Sequence, residues 1–231
     1  MTIDQLRDEL LLATLPNVLF DGWSLQSLRD GAEQAGLDST ALLRAFPGGV
    51  ADAVAHFSAW TDAETLKRLD ADPLDGLKVR EKIARAVRTH FEVLEPHREA
   101  KRRQLAYLAM PQNIPLGLSL LHATVDSLWF AAGDTATDYN HYTKRALLAA
   151  VVSATTFYWL DDPSEDHAES WAFLDRRLAD VMRVGKATAT MGKLNGLLAH
   201  LPSPMRFARQ VRQRSAASAL DSVPQTRSDA V

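Results

Sequence analysis

Residues 22–46 read GWSLQSLRDGAEQAGLDSTALLRAF, and their spacing decides the fold class. Leu25, Leu28, Ala32 and Ala35 recur at helical intervals, and Gly36 stands where a left-handed residue would close a helix. A second short helix can start at Asp38 or Ser39, with Leu42, Leu43 and Phe46 as its core, and Pro47-Gly48-Gly49 stops it. Two short helices around a glycine turn make a helix-turn-helix, the shape with which many repressors enter the major groove.

The surrounding charge argues against that use. Over residues 1–60 the cations are Arg7, Arg29 and Arg44, set against Asp4, Asp8, Glu9, Asp21, Asp30, Glu33, Asp38 and Asp52. DNA affinity comes chiefly from cations facing phosphates, and DSTALLRAF offers Arg44 alone. The motif is therefore expected to be a packing shape, with no nucleic acid as partner.

Outward from this stretch, nearly every segment repeats at helical period and none alternates as a strand would, so the expected fold is all-α. Helices are expected over roughly 3–20 with a bend at Pro16, 50–69, 77–93 and 96–110; MPQNIP, with its two prolines, is expected to be a loop. Two apolar helices follow, at about 116–131 and 138–160, with side chains that encircle them and so predict burial on several sides. Asp162-Pro163-Ser164-Glu165 matches a capping box, and Trp171, Leu174, Leu178 and Val181 stack on the helix after it, which Gly185 would close. The expected divisions are 1–69, a helix-turn-helix-like region; 70–184, a bundle built around the apolar helix pair; 185–214, an amphipathic helix; and 215–231, a polar disordered tail.

The chain has 231 residues, 46% hydrophobic and 24% charged, with a net charge of -3, so any polyanion must be met by a local patch. Without cysteine there is no disulfide, thiolate metal site or cysteine nucleophile. MTIDQLRDEL lacks the basic start and apolar run of a signal peptide, and its acids argue against a mitochondrial presequence. No stretch reaches about 18 uninterrupted apolar residues; LLAAVVSATTFYWL comes closest.

No catalytic constellation emerges. His90-x-Glu92 lacks the cysteine pair of a zinc deaminase, and Asp138-x-x-His141 is a lone pair. Neither a phosphate loop nor a nucleophile elbow is present, so neither catalysis nor a cofactor or metal is expected. What the sequence offers instead is apolar surface between two helices, a common setting for hydrophobic ligands. Leu121, Val125, Leu128, Trp129, Leu148 and Val152 are the candidate cavity residues.

A second candidate contact is GKATATMGKLNGLLAHLPSPMRFARQVRQR, residues 185–214. Met191, Leu194, Leu198 and Leu201 share one side, Phe207 continues the apolar supply, and Lys193, Arg206 and Arg209 are among cations uninterrupted by any acid. A hydrophobic stripe with a basic face suits an anionic membrane surface.

MPQNIPLGLSLLHATVDSLWFAAGDTATDYNHYTKRALLAAV, followed by ESWAFLDRRLADVM, closely resembles the Coq-nine family of ubiquinone biosynthesis, and the likeness extends more weakly from Gly22 to about Val184. The resemblance implies a TetR-like fold, with the helix-turn-helix kept as a degenerate shape. It further implies a non-catalytic protein; a homodimer is expected, and with no presequence read the expected place is cytoplasmic, peripheral on the inner membrane. Such a protein would bind isoprenoid quinone intermediates or other polyprenyl lipids and assist the di-iron demethoxyubiquinone hydroxylase. By the same resemblance Asp138, His141, Tyr142 and Arg145 would face that hydroxylase. Mitochondrial relatives carry tryptophan where this chain has His141, a stronger interface anchor than histidine. A ligand-responsive regulator and a structural scaffold are the alternative readings.

Overall fold

The computed structural model describes residues 1–72, 74–133, 139–181 and 183, with side chains from 142 onward in the third segment. Met1–Val181 form one compact unit; Met182–Val231 are a second, of which residue 183 alone is described. Among the described residues every regular element is helical.

Thr2 and Gln5 start α1 (Ile3–Asp21) with a capping box: the Gln5 amide donates to Thr2 Oγ1 at 3.2 Å, and the Thr2 amide to Gln5 Oε1 at 2.8 Å. Leu6, Leu10, Leu11, Leu15 and Val18 form its buried face, and α1 continues through Pro16 to Gly22, whose positive φ of 64° closes it. Ser24 caps α2 (Leu25–Gln34), and Asp38 caps α3 (Ser39–Ala45) by accepting from the Ala41 amide at 2.7 Å. Gly36, at φ 68°, makes the turn between them.

Two residues expected in this core face outward. Leu25 is exposed, and Leu43 is 66% exposed. On α3 the inward face is set by Leu42, Ala45 and Phe46 at spacings of three and four, and a residue one step from Leu42 is turned about 100° away. At the crossing of α1 and α2 the glycine is Gly31: a Cβ there would collide with the Oγ1, Cα and N of Thr14.

The long α4 (Val50–Ala71) runs through the core, burying Ala53, Val54 and Phe57 completely. Trp23 packs against Phe57, ring centroids 5.4 Å apart and tilted, and donates from Nε1 to the Ala100 carbonyl at 3.1 Å, which ties the helix-turn-helix to the bundle. α5 (Val79–Leu94), a 3-10 turn at Glu95–His97 and α6 (Arg98–Leu108) follow.

MPQNIP is not wholly a loop. Pro111–Asn113 form a 3-10 turn, and Ile114 and Pro115 already belong to α7 (Ile114–Ala131). Proline is tolerated in a first turn because its missing N–H has no helical partner there.

The second proline motif also folds differently. Residues 163 and 164 are not helical; a 3-10 turn occupies Glu165–His167, with φ of 51° and 55° at Asp166 and His167, and the last described helix, α9, covers 168–181. Asp162 caps from a distance, accepting from the amides of Ser164 and Ser170, each at 2.9 Å. Leu174 and Leu178 bury the inner face of α9, with Trp171 and Val181 packed beside them.

Of the two apolar helices, α8 (Tyr139–Leu160) buries Leu148, Val151, Val152, Trp159 and Leu160. α7 departs from the expected burial. Thr124, Val125, Leu128 and Trp129 face inward, whereas Leu118 and Phe130 are 64% and 71% exposed. Pro111–Ala131, rather than LLAAVVSATTFYWL, is the segment among the described residues that is long and apolar enough, by length and composition, to cross a membrane; 22% of its most apolar window is buried. The expected segments 185–214 and 215–231, with Gly185, lie outside the described residues.

Candidate functional site

Between α4, α5, α6, α7 and α8 lies a cavity of about 470 Å³, a size typical of small-molecule sites. Leu105 and Leu108 from α6, Ile114, Leu118 and Leu121 from α7, and Val152 and Phe157 from α8 give it apolar walls. Gly117 lets the α7 backbone approach α6, since a Cβ at that position would stand 3.4 Å from Leu108 Cβ. Exposed Ile114, Leu118 and Phe157 form a lipophilic rim.

Polar side chains gather on the core side: Ser58 from α4, His90 from α5, Lys101 and Gln104 from α6, Thr124 from α7 and Thr156 from α8. Buried Gln104 donates from Nε2 to the Val54 carbonyl at 3.0 Å and to Ser58 Oγ at 2.9 Å; its Oε1 accepts from Lys101 Nζ at 2.9 Å. Asp62, next to this group on α4, accepts from Thr124 Oγ1 at 3.0 Å. His90 Nδ1 stands 3.6 Å from Asp62 Oδ1. Burial pushes Asp62 up to about 7, against the hydrogen bond from Thr124 and the charge of Lys101. Burial likewise takes His90 down to about 3, so the His90–Asp62 contact joins a neutral ring to a carboxyl and is not an ion pair. Lys101 falls to about 8, burial outweighing the pull of Asp62.

Of the cavity residues expected from sequence, Leu121 and Val152 line this space. Val125, Leu128, Trp129 and Leu148 are buried in the core. Among the residues expected to meet a partner, Tyr142 is 73% exposed on the first turns of α8. Arg145 turns inward, its Nε donating to Asp126 Oδ1 on α7, and so braces the helix pair. Asp138 and the side chain of His141 lie outside the described residues, as do Met191, Lys193, Leu194, Leu198, Leu201, Arg206, Phe207 and Arg209. Among the described residues no group of three His, Asp or Glu side chains could hold a metal ion.

The polar end of the cavity escaped the sequence reading. His90 falls seven residues after Ile83 on the buried face of α5, so a histidine on an apolar stripe was its one signal. Lys101 sits within REAKRRQ, where nothing separates a half-buried cation from solvated ones.

Comparison with known proteins places these features. The COQ9 family model matches residues 114–185, which take in α7, α8 and α9. The ubiquinone biosynthesis protein COQ9-B of Xenopus laevis is 32% identical over 207 residues, covering 84% of this chain and 70% of the relative. The chain belongs to the COQ9 family. The mitochondrial COQ9 proteins of Rattus norvegicus and Homo sapiens are each 34% identical over 200 residues, 84% of this chain; the match spans 64% of the rat protein and 62% of the human one. This COQ9-family fold is TetR-like: a TetR transcriptional regulator from Nitrosomonas europaea superposes with a TM-score of 0.63, over 77% of this chain and 98% of that one, at 17% identity. On α3 the exposed side chains are Ser39, Thr40, Leu43 and Arg44, one cation among four.

Proposed function

We propose that this chain is a non-catalytic lipid carrier in ubiquinone biosynthesis, which collects an isoprenoid quinone intermediate at a membrane surface and presents it to the demethoxyubiquinone hydroxylase. The observation that carries this reading is the cavity among α4–α8, apolar along its walls and open beside exposed Ile114, Leu118 and Phe157. Such a site can take up part of an isoprenoid chain, because each buried methylene gains about 0.8 kcal/mol. The names of the relatives, all ubiquinone biosynthesis proteins, supply the pathway. Homodimerisation and a peripheral place on the membrane belong to the same proposal.

A transcriptional regulator is less well supported, because the exposed face of α3 offers phosphates one arginine. The test is mass spectrometry of lipid extracted from the purified chain. Isoprenoid quinones or their precursors should be present in near-stoichiometric amount. A protein free of lipid would favour a structural scaffold, and selective operator binding would favour the regulator.

A further inference from the structure

We propose that the inner end of the cavity is a head-group site, in which Lys101 Nζ receives an acidic oxygen, a carboxylate or a ring phenolate, of the bound isoprenoid lipid. The inference rests on the lipid-carrier reading and names the chemistry that the carrier would select.

The geometry begins with donors left over. An ammonium has three N–H groups, and the hydrogen bond made by Lys101 goes to Gln104 Oε1. Gln104 cannot swing away from that role, because its Nε2 is held by the Val54 carbonyl and Ser58 Oγ. Asp62 is engaged elsewhere, with Thr124 on one oxygen and His90 beside the other. Among the described residues no carboxylate forms an ion pair with Lys101, although it lines a cavity whose other walls are apolar.

A cation so placed is costly until an anion joins it. Burial lowers Lys101 only to about 8, so it is largely protonated at neutral pH. Burial leaves His90 neutral, and Asp62, raised to about 7, is part-ionised at neutral pH, so its pull balances the Lys101 charge only in part. An entering acidic oxygen would form a charge-assisted hydrogen bond. A neutral alcohol of equal length would gain a weaker one, and a choline head would meet like charge.

Farnesoic acid and farnesol share an isoprenoid tail and differ in the head, so titrating each into the full chain at neutral pH isolates the contact. The native chain should bind the acid about tenfold more tightly than the alcohol. Lys101→Met should remove that preference by weakening the acid far more than the alcohol, and Lys101→Arg should keep it. Should Lys101→Met fail to fold, Lys101→Gln carries the same comparison. Equal affinities in the native chain, or a preference that survives in Lys101→Met, would overturn the head-group site while leaving the carrier reading intact. Binding of neither probe would overturn both.

Discussion

Thr124 on α7 donates to the Asp62 carboxyl on α4 at 3.0 Å, joining two helices at the polar end of the cavity. The bond satisfies an oxygen that burial has removed from water, but it does not offset the whole cost of ionising Asp62, which burial raises to about 7. The polar end of the cavity is therefore a place where stability is given up.

That cost has a sign that pH exposes. The folded pKa of Asp62, about 7, lies above the ordinary carboxylate value, so its proton stabilises the folded state at low pH, and that stability drains away as pH rises from about 4 to about 7. Asp62→Asn keeps an acceptor for Thr124 and removes the charge. It should be more stable than the native chain at pH 8, by up to about 4 kcal/mol, and nearly equal at pH 4. His90, lowered to about 3, acts in the opposite direction as pH falls below about 6.5, but it is common to both proteins and cancels in the difference. Denaturant unfolding at the two pH values measures it; a variant less stable at pH 8 would show that the ionised carboxylate is welcome.

Gly31→Ala should cost about 1–3 kcal/mol, because the new methyl group meets the backbone and hydroxyl of Thr14 on α1 and the two helices must part. Thermal unfolding would read the loss. An unchanged midpoint would mean that α1 and α2 separate without penalty.

How much of this was legible in sequence follows from what repeats. The start of α3 at Asp38, the turn at Gly36 and the helical period of nearly every segment come from local spacing, which a single chain displays. Leu25 and Leu43 misled because an apolar residue next to a buried stripe looks like part of it, although the helix turns it outward. Gly31 could not be read at all, since its reason is Thr14, seventeen residues away on another helix. The cavity was half visible: Leu121 and Val152 lie on apolar helices, while Ser58, Lys101 and Gln104 become neighbours only when α4 and α6 cross.

Tyr142, exposed near the start of α8, is the described side chain best placed to anchor the hydroxylase under the proposed function. Tyr142→Ala should weaken that complex by about 1 kcal/mol or more, measured by titration with the purified hydroxylase. Unchanged affinity would move the interface to another face.

Residues beyond Gly185 supply cations and apolar side chains without an acid up to Arg214. Removing them should abolish binding to anionic liposomes and leave the helical signal of the remaining chain intact. Binding by the full chain should fall as salt is raised. Equal liposome flotation by truncated and full-length protein would exclude this segment as the membrane contact.

Under the proposed function an isoprenoid lipid occupies the cavity among α4–α8. A farnesyl probe carrying a photoreactive benzophenone, irradiated with the full chain and mapped by peptide mass spectrometry, tests it most directly. Crosslinks should fall on cavity walls such as Leu108, Leu121 and Val152, and an excess of unlabelled isoprenoid should suppress them. Crosslinks confined to other surfaces, or labelling that competitor does not diminish, would mean that the cavity is not the lipid site.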